Sequence, residues 1–316
     1  MRKLTIVAAA LITIGFMGIG GSAQAKVPGP DGQIVFSRSL SSTTEDFGVV
    51  TVSPDGTHLR ELTTGECPHW SPGGRLIATC GAPDGSAAVI INPDTGSSRE
   101  LTPPDLSLHL ACPVWSADAK RLACGQFDPA TDPSRNGMYT VRSSDGGGIR
   151  RITSNPGGSD EPGDYTPDGT QIVFLRTDPA RPANANQALF VVNVGGTGLH
   201  RITPWGLPGA EAFGSWSPNS RSILFYSVEG SLYVVRPDGT GLAKIRLATS
   251  SLSRAFSPGW SPGGTKIVFA LFTRTRPGTE QEGIYTANAD GSDVQQVTNA
   301  PIFDDHPDWG PHPLAS

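Results

Sequence analysis

Short apolar runs recur along the chain at near-regular intervals. Ile34 to Phe36, Leu76 to Ala78, Leu122 to Ala123, Ile172 to Phe174, Ile223 to Phe225 and Ile267 to Phe269 each follow a small polar turn rich in Ser, Pro, Asp and Gly. All but the first of these turns open on an aromatic residue: Trp70, Trp115, Tyr165, Trp216 or Trp260. A second phrase follows each run, made of an apolar strand, a turn and a short closing segment. It spans Val49 to Thr63, Met138 to Thr153, Leu189 to Thr203, Leu232 to Ala248 and Ile284 to Thr298, with Val89 to Thr102 as a looser copy. Short runs rich in Val, Ile and Phe and bounded by Pro, Asp and Gly are strands and turns. No apolar pattern of helical period persists for three turns.

The repeat aromatics are 45, 50, 51 and 44 residues apart, and 49 more residues reach Trp309. That period accommodates a blade of four strands, A to D, with the aromatic on strand A. The first B strand, from Gln33 to Phe36, has no aromatic strand before it, while Asp305 to Trp309 is an A strand with no blade after it. The expected fold is therefore all-β, a six-bladed β-propeller of four-stranded blades, closed when the C-terminal strand completes the first blade. Closure removes exposed sheet edges. The blades are expected near residues 33–66, 67–111, 112–161, 162–212, 213–256 and 257–303, with closing strand 305–309, all in one domain over 26–316.

Composition narrows the classes. The 39 Gly and 28 Pro make up about a fifth of the 316 residues, which excludes a helical bundle, because Gly and Pro cost roughly 1 and 3 kcal/mol inside a helix. Apolar content of 37% and a net charge of −5 argue against disorder. The scattered basic residues argue against a nucleic-acid partner. Arg2 and Lys3, the uncharged stretch from Leu4 to Gly21 and the small-x-small Ala23 to Ala25 form a signal peptide over 1–25, cleaved before Lys26. The competing reading is a retained anchor. With cleavage, the chain is exported to the periplasm or outside the cell, without a stable membrane span.

The turns such as Trp70 to Gly74, the strands such as Ile267 to Phe269 and the endings such as Asp55 to Thr63 resemble the WD-like propeller repeats of the TolB type. The resemblance covers essentially the whole mature chain. It implies a six-bladed extracytoplasmic propeller that often serves as a protein-binding scaffold. TolB itself carries an additional α/β domain ahead of its propeller, whereas here the first blade starts within about ten residues of the expected cleavage site, so only the propeller carries over.

Large aromatics at one place in every blade (Trp70, Trp115, Tyr165, Trp216, Trp260, Trp309) read as packing between blades. Trp205 lies outside that register, in a loop, and is the Trp to test for ligand contact. Gly259 to Gly263 matches a nucleophile elbow literally, but Ser261 is the repeat serine, followed by Pro, so no catalytic residue is assigned. The Asp-Gly turns at Asp55, Asp145, Asp168, Asp238 and Asp290 read as turns and not calcium loops.

The informative polar positions lie four or five residues before the repeat aromatic, where strand A meets the central channel: Glu66, Asp160, Glu161, Glu211, Asp304 and Asp305. Ringed carboxylates suit a divalent cation or a basic peptide terminus, and the plainer reading is a solvated acidic rim. His69 and His306 add nitrogen donors, His109 lies near the same level, and Arg254 is the one cation expected near that rim. No cofactor is assigned beyond a divalent cation that the channel would admit.

Four cysteines in an exported chain favour disulfides, with three connectivities open. If Ser71 faces Gly74 across its turn, Cys67 faces Ala78 and Cys80 is its diagonal neighbour. By the same register Cys112 faces Ala123, and Cys124 points away unless a bulge intervenes. The expected pairs are Cys67 with Cys80 and Cys112 with Cys124. The function expected is a monomeric, non-catalytic scaffold that binds a protein or peptide at the channel mouth. The alternative is a metal-dependent, lyase-type carbohydrate-active enzyme with its site in the channel.

Overall fold

The computed structural model describes residues 28–314 except 42–45, 81–87, 106, 129–131, 210–211, 250–252, 275–279 and 300–302. The expected signal peptide and Glu211 lie outside the described residues. Six four-stranded antiparallel sheets form the propeller. Blade 1 is built from Asp304–Trp309 (strand A), Ile34–Ser39 (B), Phe47–Val52 (C) and Arg60–Thr64 (D), so the C-terminal strand closes the ring. The A strands of blades 2 to 6 are His69–Trp70, Leu110–Trp115, Ser159–Tyr165, Ser215–Trp216 and Arg254–Trp260.

The polar turn after each aromatic explains why the phrase repeats. The residue after the aromatic donates its backbone N–H to the carbonyl five residues on: Ser71 to Leu76 at 2.7 Å, Ser116 to Arg121 at 2.9 Å, Ser217 to Ser222 at 2.8 Å and Ser261 to Lys266 at 2.9 Å. The serine Oγ then accepts the backbone N–H of Leu76, Arg121, Ser222 or Lys266. Gly310 N–H binds the Gln33 carbonyl at 3.0 Å, the same bond made between the two ends of the chain with no covalent turn. The fourth residue after the aromatic takes a left-handed conformation in blades 2 to 6, at Gly74, Ala119, Gly169, Ser220 and Gly264. Glycine adopts it without steric cost, whereas Ala119 and Ser220 do not.

Each repeat aromatic is buried against the preceding blade. Trp115 packs on Ala88 and Leu101 of blade 2, Tyr165 on Ala123 and Met138 of blade 3, and Trp216 on Val173 and Leu189 of blade 4. Trp309 completes the circle against Val268 and Ile284 of blade 6. The core is thus a set of seams between sheets. In the seams the turn between strands C and D packs on the D strand of the blade before it. A Cβ at Gly56 would stand 2.7 Å from the Val297 carbonyl oxygen, and one at Gly291 2.6 Å from that of Arg246.

Candidate functional site

Strand A carries a β-bulge in blades 1, 3, 4 and 6, which shifts the register two or three residues before Trp309, Trp115, Tyr165 and Trp260. His306 and Ser257 take left-handed conformations there, and so does Cys67 at the equivalent place in blade 2. Bulges re-aim the side chains around them. This decides where the expected rim residues go.

Asp160 and Asp304, expected at the channel mouth, are instead fully buried in the seams. Asp304 takes the Arg38 guanidinium on two prongs, Nε at 2.7 Å and Nη2 at 2.8 Å, and the Thr298 hydroxyl at 2.5 Å. Asp160 takes Arg176 at 2.7 and 2.6 Å and Thr153 at 2.5 Å. In each case Thr ends the D strand of one blade while Asp and Arg belong to the next. The carboxylate therefore staples blade 3 to blade 4, or blade 6 to blade 1. Asp304 also holds the Arg38 guanidinium above its ordinary range through that hydrogen bond. A desolvated carboxylate is stable only when so paired.

Glu66, Glu161 and Asp305, one residue further on, are half-buried at the start of their A strands. His306 is half-buried, with its N–H on Asp305 Oδ1 at 2.6 Å. His69 is buried deeper in the channel wall, its Nδ1 4.0 Å from Asp308 Oδ2. His69, His306 and Asp308 line one cavity of about 30 Å³, the volume of a single water. Sequence reasoning missed Asp164 and Asp308, one residue before Tyr165 and Trp309. Each accepts the backbone N–H of the next blade's aromatic, Asp164 from Trp216 at 2.7 Å and Asp308 from Trp70 at 2.8 Å. The signal was present as an Asp-aromatic pair in two opposite blades. Among the described residues, no group of three His, Cys, Asp or Glu is arranged to hold a metal ion.

Arg254 is exposed at the start of its A strand and lines a cleft between blades 5 and 6 with Glu282. His109 is exposed. Trp205 is half-buried under Arg181, whose guanidinium lies 4.1 Å from the ring centre, and meets Phe190 edge-on, so one face is already covered. Ser261 is fully buried as a turn acceptor. The Asp-Gly carboxylates cap their own turns. Asp55, Asp238 and Asp290 accept from Thr57, Thr240 and Ser292, and those bonds hold their pKa values below the ordinary range.

Cys67 and Cys80, expected to be joined, are separate buried thiols. The turn closes with Ser71 on Leu76, which puts His69 opposite Ala78, and the Cys80 N–H binds the Glu66 carbonyl at 3.0 Å. Cys80 therefore pairs with the residue before Cys67, and Cys67, in a left-handed conformation, turns its N–H to Ser37 Oγ at 3.0 Å.

The sequence matches the TolB beta propeller domain over residues 31–312. The chain belongs to the TolB beta propeller family. A TolB homolog from Chlorobium luteolum is 32% identical over 140 residues, a stretch covering 43% of this propeller and 29% of that relative. The fold of TolB from Acinetobacter baumannii superposes with a TM-score of 0.62 at 16% identity, over 88% of this chain and 66% of that one. An oligogalacturonate lyase solved with manganese gives a TM-score of 0.51 at 13% identity, over 80% of this chain and 71% of that one. At such identities these structures share the fold of this TolB-type propeller. Among the described residues, no helix is long and apolar enough to cross a membrane.

Proposed function

We propose that the protein is an exported, monomeric, non-catalytic propeller that binds a protein or peptide of the cell envelope at the channel mouth, after removal of residues 1–25. The observation that carries this reading is the division among the rim carboxylates. Asp160 and Asp304 are fully buried in ion pairs with Arg176 and Arg38, while Glu66, Glu161 and Asp305 keep partial exposure at or just before the starts of three A strands. Carboxylates held on a rigid ring suit a cationic peptide segment, because the scaffold meets the ordering cost before binding.

Affinity capture with crosslinking from the envelope fraction tests it, comparing the native chain with the triple substitution Glu66→Ala, Glu161→Ala, Asp305→Ala. Loss of the captured partner is expected, and unchanged capture sinks the rim reading. Metal analysis of the purified mature chain tests the lyase-type alternative, which requires stoichiometric divalent metal.

A further inference from the structure

A cleft of about 1220 Å³ runs between blades 5 and 6. It exceeds the roughly 300–1,000 Å³ of small-molecule sites. It exists because the two blades differ in height. Blade 5 ends its B and C strands at Tyr226 and Leu232, and its D strand is only Ala243–Lys244. The B and C strands of blade 6, Lys266–Arg274 and Glu280–Asn288, run several residues further. The taller blade contributes Phe256, Leu271 and Phe272, and the shorter one Leu232, Ile245 and Leu247.

The cleft also gathers cations. Lys244, Arg246 and Arg254 line it, all exposed, and among the described residues none makes a side-chain hydrogen bond or ion pair. Elsewhere Arg38, Arg135, Arg142, Arg176 and Arg181 each bind an aspartate. Residues 120–254 hold 14 Lys and Arg against 11 Asp and Glu, while the rest of 26–316 holds 8 against 18. The unpaired cations thus end the cationic half of a chain that is otherwise strongly acidic. Glu229 and Glu282 are the acids in the wall. Glu282 is half-buried, and desolvation together with Asp305 and Asp304 raises its pKa to about 7, which weakens its repulsion of an anion.

We infer that this cleft binds an extended acidic and apolar peptide segment of a partner protein, with carboxylates on Lys244, Arg246 and Arg254 and apolar side chains on Leu247, Phe256 and Phe272. An acidic sugar chain fits less well. Among the described residues the lining has no Trp or Tyr to stack on a sugar ring, and its apolar part is aliphatic and Phe.

The test uses the mature full-length chain and a fluorescein-labelled decapeptide of alternating Glu and Leu, with a Lys-Leu decapeptide and an oligogalacturonate of matched charge as the other arms. The expected result is saturable binding of the Glu-Leu peptide only. Binding should weaken at least tenfold in an Arg246→Glu, Arg254→Glu variant whose melting matches the native chain, and weaken steadily with salt. It should be unchanged in a Glu66→Ala, Glu161→Ala variant, which separates this cleft from the channel-mouth carboxylates. No binding of the Glu-Leu peptide, or equal binding by the double variant, overturns the inference. Binding of the oligogalacturonate in its place, lost in the double variant, overturns the peptide assignment and gives the cleft to acidic sugars.

Discussion

Arg38 and Asp304 lie 266 residues apart and meet through two hydrogen bonds of 2.7 and 2.8 Å, the carboxylate fully buried and the arginine part-exposed. They join the first B strand to the last A strand within blade 1, and Thr298 ties the same carboxylate to blade 6. Arg176 and Asp160 repeat the arrangement in the opposite blade with Thr153. The ring is thus stapled at its closure and again half-way round.

Asp304→Ala leaves the part-exposed Arg38 guanidinium and the Thr298 hydroxyl without their partner. The expected loss is about 1.5–3 kcal/mol, the worth of hydrogen bonds to a charged group, read from urea unfolding. Adding Arg38→Met should restore part of it. A loss of less than about 1 kcal/mol in the single variant would mean that the pair behaves as an exposed one.

Glu282 gives the stability a pH dependence of known sign. Its pKa in the fold is about 7, above the ordinary carboxylate value of about 4.3. As pH rises between those values the unfolded chain has already released the proton that the folded chain retains, so stability falls across that window. Glu282→Gln should therefore raise the unfolding free energy at pH 8 by about 1 kcal/mol, discounted for its partial exposure, and leave it nearly unchanged at pH 4. Equal effects at both pH values would contradict the assignment.

The left-handed turn position gives opposite signs at two sites. Gly264→Ala meets nothing closer than Pro218 at 3.4 Å, so its cost is the backbone term alone, about 1 kcal/mol. Ala119→Gly relieves the same strain and should gain a few tenths of a kcal/mol after the added freedom of the unfolded chain. Thermal melts of the two variants should move in opposite directions.

The cysteines separate into two classes. In blade 3 Cys124, unlike Cys67 and Cys80, is not a thiol, and the Cys112 side chain lies outside the described residues. We propose that Cys112 is its disulfide partner, which fits an oxidising compartment. Alkylation of the unfolded, unreduced chain followed by peptide mass mapping should label Cys67 and Cys80 alone. Labelling of all four would end that proposal.

The number of blades, the closing strand and the inward aromatics were legible because each is written in several copies. A turn that needs Ser at one place and Gly four residues past an aromatic leaves a periodic trace whatever surrounds it. The acidic rim was legible only as a composition. Asp160 and Glu161 are neighbours in sequence, yet one is buried in an ion pair and the other is half-buried at the strand start. Only the bulge and the meeting of Thr153 and Arg176 on the Asp160 carboxylate decide which is which.

The sequence by itself determined the ring, since local turn chemistry and strand alternation act within a few residues and repeat. Only the tertiary structure decided the separation of Cys67 from Cys80, the burial of Asp304 against Arg38 and the place of Arg254 in a side cleft. A one-residue bulge or a difference in strand length moves such side chains by several ångströms and leaves the hydrophobic pattern unchanged.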